Sequence, residues 1–191
     1  IRVTGSGASG FGESAVRFDS GINAMTSLAV RYCILEAEAA NGNSAILAIT
    51  GGNAMSGVTV EENLIRSTGS SATNCRAYGV YVAATGTNLS IRNNVLNQFA
   101  WGGMNLSATF PTAQIYDNDI YHTAPVTQPS ANAFWGIKFA TAGMAGSLLY
   151  NNFIHDIQLT NGSSSVIGIY LENGNSSGTR VKVYNNLVSL G

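Results

Sequence analysis

Charged residues are scarce in this chain of 191 residues, where they occupy 10% of the positions, well below the roughly 25% of ordinary globular domains. Nine Lys and Arg residues and ten Asp and Glu residues give a net charge of −1. We therefore expect no nucleic-acid partner, because phosphate backbones are bound by basic surfaces. No apolar run reaches the ~18 residues that a membrane-spanning helix needs. Proline occurs only three times and glycine 22 times, a composition that disfavours helical bundles and favours a neutral β-protein, extracellular or at the cell surface.

Cysteine occurs only twice, as Cys33 and Cys75. The sequence has no Cys-x-x-Cys pair and no histidine at zinc-ligand spacing. A single disulfide and two isolated buried thiols both remain compatible with the sequence. We predict no metal site and no cofactor.

A short motif recurs along almost the whole chain. It consists of an aliphatic residue, two mostly polar residues, an Asn, a variable residue and a second aliphatic residue. We call the Asn the anchor, and successive anchors are 24 to 34 residues apart. The anchors are Asn63, Asn94, Asn118, Asn152 and Asn186, preceded by a degenerate copy of the motif with Cys33 at the anchor position.

A second motif, apolar–variable–apolar, precedes each anchor by 12 to 15 residues. Its copies lie at 16–18, 47–49, 80–82, 104–106, 137–139 and 169–171. The alternation is that of a half-buried strand, and the interval to the anchor is too short for a crossover helix. Repetition of both motifs at one phase predicts a coil that returns above itself and stacks like strands in parallel.

The anchors resemble the internal asparagine ladder of the right-handed parallel β-helix, or pectate-lyase-like, superfamily. The resemblance implies an all-β fold, a right-handed parallel β-helix solenoid of about six coils. We expect residues 1–191 to form a single domain that is a segment of a longer protein, since neither end of the sequence predicts a capping helix. We also expect the anchor Asn to adopt the left-handed backbone at the bend, a conformation that Asn tolerates.

Alignment of the coils predicts four inward columns. Two flank the anchor at −3 and +2, and two are the apolar positions of the second motif. All four are aliphatic or aromatic, and each buried side chain contributes roughly 1.5–3 kcal/mol.

The outward column two residues before the anchor holds alternating charges and then three tyrosines. Its members are Arg31, Glu61, Arg92, Tyr116, Tyr150 and Tyr184. This column is compatible with cross-strand pairing on a solvated sheet. It is also compatible with an aromatic strip that binds sugar rings or a partner.

The outward column of the second motif runs through Arg17, Ala48, Tyr81, Asn105, Lys138 and Tyr170, with Glu172 two residues further on. In the lyases that this fold resembles, a polysaccharide lies along this sheet, Ca²⁺ is held by carboxylates and a Lys or Arg is the base. The resemblance thus implies Lys138, Tyr170 and Glu172 as catalytic candidates, and Tyr81 and Asn105 as further ligand-binding residues. Because no carboxylate cluster surrounds Lys138, we predict that it is exposed and that no catalytic site is present.

Two more features are compatible with surface roles. The register places His155 beside Tyr121 and His122 beside Asp156, without a nucleophile to complete a hydrolytic set. Trp101 and Trp135 precede glycine-led strands, and we expect them to pack at a corner of the helix or to form an exposed platform.

These observations favour a non-catalytic structural or adhesive module of a secreted or cell-surface protein that could form fibres. The expected partners are a polysaccharide or other copies of the chain stacked end to end. The alternatives are a polysaccharide lyase or related carbohydrate-active enzyme, and a sugar-binding module.

Overall fold

Short strands dominate the computed structural model, which describes residues 2–4, 14–19, 21, 25–38, 45–70, 75–128, 133–140, 142–160, 165–172 and 180–190. A single turn of 3-10 helix, Ala142–Met144, is present. The strands are β1 (Arg2–Thr4), β2 (Val16–Asp19), β3 (Met25–Thr26), β4 (Ala29–Arg31), β5 (Ile34–Glu38), β6 (Ala45–Thr50), β7 (Met55–Glu61), β8 (Leu64–Ser67), β9 (Tyr78–Val82), β10 (Gly86–Arg92), β11 (Val95–Asn97), β12 (Gly102–Leu106), β13 (Gln114–Tyr116), β14 (Asp119–Tyr121), β15 (Phe134–Phe139), β16 (Leu148–Tyr150), β17 (Phe153–His155), β18 (Val166–Leu171), β19 (Lys182–Tyr184) and β20 (Leu187–Ser189).

The strands form three parallel sheets that the chain visits in turn. Sheet 1 contains β2, β6, β9, β12, β15 and β18; sheet 2 contains β3, β4, β7, β10, β13, β16 and β19; and sheet 3 contains β1, β5, β8, β11, β14, β17 and β20. The fold is therefore an all-β parallel β-solenoid of about five turns, consistent with a right-handed β-helix. The six strands of sheet 1, with five steps of one turn between them, correspond to the six coils expected from the repeat. Among the described residues, no helix has the length and apolar character to cross a membrane.

The register predicted from the repeat is confirmed in all three sheets. In sheet 1, for example, Val80, Met104 and Ile137 are aligned on neighbouring strands. The inward columns are fully buried in the middle coils and become exposed in the last coil, where 43% of Val183 and 40% of Val188 is accessible. The core is thus a continuous interior whose apolar side chains become partly accessible in the last described coil.

The asparagine ladder is continuous from Asn63 to Asn186. Each Nδ2 donates to the Oδ1 of the next anchor at 2.9 Å. The same amides also donate to backbone carbonyls, as from Asn118 to Ile91 and Tyr116 at 2.9 and 3.0 Å. Each Oδ1 also accepts a hydrogen bond from the backbone N–H of the preceding anchor. Each ladder side chain therefore satisfies backbone hydrogen-bonding groups in the bends of two successive coils. Cys33 starts this series, since its N–H donates to Asn63 at 3.0 Å.

The left-handed residue at each bend lies one position before the anchor, not at the anchor as expected. The φ angles there are between 53° and 55° in all six coils. The residues are Tyr32, Glu62, Asn93, Asp117, Asn151 and Asn185. The anchor keeps an ordinary φ because its amide must point into the bend and bond to the next coil. The residue before it makes the turn and projects its side chain outward.

A second column of left-handed residues lies six positions before Cys33 and before each of the first four anchors. Its φ angles are between 56° and 78°. The members are Ser27, Gly57, Asn88, Thr112 and Gly146. This column marks a bend within or just before the strands of sheet 2. The sequence repeat did not indicate it, because its members share no residue type.

Glycines that lead the strands of sheet 1 face the interior. A Cβ at Gly136 would lie 2.8 Å from Ile154, and a Cβ at Gly103 would lie 2.7 Å from Ile120. These isoleucines belong to the inward column that follows the anchors. The recurring glycine therefore leaves room for that column, which explains why it precedes four of the six copies of the second motif.

Candidate functional site

Lys138 lies on the outer face of sheet 1 within a cage of aromatic and acidic side chains. Its Nζ is 4.3 Å from the centroid of the Trp135 ring and 5.4 Å from that of Tyr170. The nearest carboxylate oxygen, on Glu172, is 3.7 Å away. Only 18% of the side chain is accessible, so the prediction that Lys138 is exposed is wrong. Ammonium groups bind aromatic faces through the ring quadrupole, and this contact shields the lysine from water.

Trp135 was expected at a corner of the helix or on an exposed platform, and not as a neighbour of Lys138. It lies inside strand β15, in register with Gly102 and Ile167, rather than at a corner. Its ring contacts both Lys138 and Tyr170. Trp135 is close to Lys138 in the sequence, and this was the signal that could have indicated their contact. Residues three apart in a regularly alternating strand face opposite sides, however, so the spacing argued against it.

A second group of aromatic rings lies further along the same face. Tyr78 stacks with Tyr81 at 6.1 Å between centroids and meets the edge of Trp101 at 6.1 Å. Burial raises the pKa of Tyr78, partly offset by a hydrogen bond with Asn105. Asn105 connects the two groups, because it is aligned with Tyr81 on one side and with Lys138 on the other.

Two buried polar atoms in this region have no hydrogen-bond partner among the described residues. They are the Oδ1 of Asn105 and the indole nitrogen of Trp101. Unpaired buried polar groups are costly, at roughly 1–3 kcal/mol each. Such atoms commonly mark places where water or a ligand completes the bonding.

The rest of the predicted column does not contribute to this cluster. Arg17 pairs with Asp19 at 2.9 Å and is separated from Lys138 by Ala48, Tyr81 and Asn105 in the register. The outer face of sheet 1 therefore brings Asn105, Lys138, Tyr170 and Glu172 together and leaves Arg17 apart.

The outer column of sheet 2 contains the tyrosine stack expected from the register. Tyr116 and Tyr150 are 4.7 Å apart with rings at 5°, and Tyr150 and Tyr184 are 5.1 Å apart with rings at 2°. Both faces of Tyr150 are therefore covered. A sugar could reach the edges and hydroxyl groups of the middle ring, but not its faces.

Charged residues continue the tyrosine column at its other end, and their predicted cross-strand pairing is confirmed. Glu61 is buried between two arginines, with Arg31 at 2.6 Å and Arg92 at 2.5 Å. Arg92 also donates to the hydroxyl of Tyr116 at 2.7 Å. Its bonds to Tyr116 and Glu61 hold the pKa of Arg92 above its usual value. This network fixes the first ring of the stack.

The histidines occupy different environments. His155 lies beside Tyr121 as predicted and contacts two carboxylates, Asp119 at 2.9 Å and Asp156 at 2.7 Å. His122 was expected beside Asp156, but it is buried and its Nδ1 lies 3.0 Å from the carbonyl oxygen of Gln158. Asp156 has a left-handed backbone, and its carboxylate contacts His155 instead of His122.

Both cysteines are free. Cys75 is buried, and burial raises the pKa of its thiol to about 12. Cys33 is partly exposed at the first position of the ladder, and its Sγ lies 3.1 Å from the carbonyl oxygen of Arg31.

Comparison of the chain with protein-family models, with curated proteins and with solved structures found no match.

Proposed function

We propose that this chain is a non-catalytic structural or adhesive module of a secreted or cell-surface protein, related to the pectate-lyase-like superfamily and able to form fibres. The observation that carries the proposal is the unbroken ladder with its aligned interior columns. Together they make a rod whose outer surface repeats one set of columns at the strand spacing of about 4.8 Å. A solenoid of this kind presents side chains at regular intervals along an extended surface.

End-to-end stacking is the form of assembly that we propose. The last coil leaves Val183 and Val188 partly uncovered, and strands β18, β19 and β20 are the outermost of their sheets. Exposed strand edges beside apolar side chains are templates for pairing with another chain. A second copy of the chain would cover both.

Self-association tests this assembly. We expect sedimentation velocity to show oligomers that grow with protein concentration, and Val188→Lys to shift them towards the monomer. Val95→Lys controls for the added charge, because Val95 lies on the outer side of sheet 3 beside Asp119, away from the last coil. A wild-type chain that stays monomeric at high concentration would contradict the fibre.

A second function, binding of a polysaccharide, is favoured by the cage around Lys138. Aromatic rings, a lysine, a carboxylate and the unpaired Oδ1 of Asn105 lie on one face. Such a set can contact both the apolar faces and the hydroxyl or carboxyl groups of sugars. The cage holds Lys138 against rings and Glu172, which suits binding better than proton abstraction.

Affinity electrophoresis in gels that contain pectate, alginate or a glycosaminoglycan tests the binding. We expect retardation of the wild-type chain, and its loss in Trp135→Ala and Lys138→Ala. Tyr150→Phe, on sheet 2, should bind as the wild type does. Release of unsaturated sugars, seen as ultraviolet absorbance and abolished by Lys138→Ala, would instead establish the lyase.

A further inference from the structure

Three phenol rings on the outer face of sheet 2 form a continuous stack. The rings of Tyr116, Tyr150 and Tyr184 are nearly parallel, at 5° and 2°, and their centroids are 4.7 and 5.1 Å apart. These separations are slightly greater than that of two phenol rings joined directly through their ortho carbons. The bond that joins them lies in the plane of each ring, so rotation of the rings about their Cβ–Cγ bonds, from face-to-face towards edge-to-edge, would bring those carbons together.

The stack lies at the surface, and its geometry is held by the backbone register and, at Tyr116, by a hydrogen bond to the hydroxyl. The backbone register aligns Tyr116, Tyr150 and Tyr184 on successive strands, and Arg92 binds the hydroxyl of Tyr116 at 2.7 Å. Tyr184 is 42% accessible, and the other two are half-buried. An oxidant can therefore reach a ring whose neighbour is already in place.

We propose that this stack is a site of oxidative cross-linking, at which Tyr150 forms dityrosine with Tyr116 or Tyr184 when a peroxidase uses hydrogen peroxide as its oxidant. The product would join two adjacent coils covalently. The inference goes beyond the structural and adhesive role and does not depend on it.

The chemistry balances with one peroxide for each cross-link. Each of two phenols loses one electron to the peroxidase and one proton to solvent, which leaves two phenoxyl radicals. Their ortho carbons form a carbon–carbon bond, and the hydrogen on each of those carbons moves to the phenol oxygen. Two electrons and two protons convert hydrogen peroxide to two waters. Burial, and the neighbouring Tyr116 and Tyr184, raise the pKa of Tyr150, so the ring is neutral at neutral pH and loses its proton on oxidation.

Other tyrosines of the chain lack this combination of proximity and access. Tyr78 and Tyr81 are 6.1 Å apart with rings at 23°, and Tyr78 is 7% accessible. Tyr32 is 73% accessible but has no ring contact among the described residues. Tyr121 and Tyr170 have His155 and Trp135 as their ring neighbours. These residues serve as internal controls for distance and exposure.

The experiment treats the dilute folded chain with a peroxidase and hydrogen peroxide, then measures dityrosine fluorescence and maps cross-linked peptides by mass spectrometry. We expect an intramolecular peptide pair that contains Tyr150, with a mass two hydrogens below the sum of its parts. Tyr150→Phe keeps the stacked ring but should lose the intramolecular product. Tyr116→Phe should leave the link between Tyr150 and Tyr184, and Tyr184→Phe the link between Tyr116 and Tyr150.

Tyr32→Phe is the control for exposure, and it should leave the intramolecular product unchanged. Circular dichroism of each Phe variant checks that the fold is retained. Equal intramolecular dityrosine in Tyr150→Phe, links formed only between molecules through Tyr32, or fluorescence from Tyr78 and Tyr81 in place of the stack would each overturn the proposal. So would the absence of dityrosine from wild-type chain under conditions in which free tyrosine couples.

Discussion

A ladder asparagine and a surface asparagine differ in what each must satisfy. Asn118 is 1% exposed in a bend where carbonyl and amide groups of two coils need partners, and its side chain takes part in five hydrogen bonds. Its Nδ2 donates to Ile91, Tyr116 and Asn152, and its Oδ1 accepts from the backbone N–H and the Nδ2 of Asn94. No aliphatic side chain of similar size can replace them, so the residue type at the anchor is determined by bonding rather than by volume.

Replacing Asn118 by Leu should therefore lower the free energy of unfolding by about 1–3 kcal/mol, because buried donors and acceptors lose their partners. The same change at Asn186 should cost less, since that anchor is more accessible and has no following anchor among the described residues. Urea denaturation of both variants measures the difference. Equal midpoints for the two variants and the wild type would mean that the ladder does not stabilise the coils.

His122 makes the stability of the fold depend on pH. Burial lowers its pKa below the usual 6.5, so the folded chain holds it neutral while the unfolded chain becomes protonated first. Its contribution is present above pH 6.5 and is lost as the pH falls through the lowered value. As the pH is lowered below 6.5, we expect the urea midpoint of the wild type to decrease. The midpoint of His122→Asn should decrease less over the same pH range. His155→Asn is the control that keeps His122, and an unchanged pH profile in His122→Asn would show that another group is responsible.

At the scale of the strand, glycine allows sheet 1 to approach the column of aliphatic residues that follows the anchors. A Cβ at Gly136 would lie 2.6 Å from the carbonyl oxygen of Gly168 as well as 2.8 Å from Ile154. Backbone on one side and a buried side chain on the other leave no direction in which the contact can relax.

Gly136→Ala should consequently destabilise the fold by about 1–3 kcal/mol, the range typical of overpacked cores. Gly52→Ala is the matched control, because a Cβ there would meet nothing within 4 Å. Thermal unfolding followed by circular dichroism compares the two. A neutral Gly136→Ala would imply that the strand can shift outward without loss of pairing.

The register of all three sheets could be predicted from the sequence, because residues that pair on adjacent coils occupy the same position in successive repeats. A column such as Ile91, Ile115 and Leu149 is apolar at one phase, and only stacking of the coils places its members in contact. The left-handed column at Asn88 and Thr112 could not be predicted in the same way. Ser, Gly, Asn and Thr all adopt the left-handed backbone in this column, so the column has no common residue type that a sequence repeat could show.

The outward column of the candidate site was predictable, whereas the place of Trp135 in the site and the burial of Lys138 were not. The register placed Asn105, Lys138 and Tyr170 side by side, since outward positions also recur with the repeat. The burial of Lys138 depends on Trp135, whose ring reaches it from three residues away along the strand. Side-chain direction of that kind is set by local packing and has no period in the sequence.

For the whole molecule, a solenoid has no contacts between distant coils, so its stability is the sum of coil and interface contributions. A coil covered on both sides is stabilised by two interfaces, whereas a terminal coil has one. In this chain the last strands, β19 and β20, are exposed along their length, while the corresponding core positions at Leu149 and Ile154 are fully buried. Local opening of the exposed strands β19 and β20 should therefore need less free energy than opening of the buried strands.

Amide hydrogen exchange can measure that gradient on bonds of matched geometry. The N–H groups of Lys182 and Leu187 donate to the previous coil at 2.9 Å, and those of Leu148 and Phe153 donate to theirs at 2.8 Å. Because bond lengths are nearly equal, a difference in exchange reports how much structure must open to expose each amide. We expect the amides of Lys182 and Leu187 to exchange much faster than those of Leu148 and Phe153 in dilute solution.

Association at high concentration should slow the exchange of Lys182 and Leu187 more than that of Leu148 and Phe153, since a second copy stacked on the last coil would cover the first pair. Equal protection of both pairs in the monomer would mean that the coils unfold as one cooperative unit, and fast exchange that concentration leaves unchanged would place the contact between copies elsewhere on the rod.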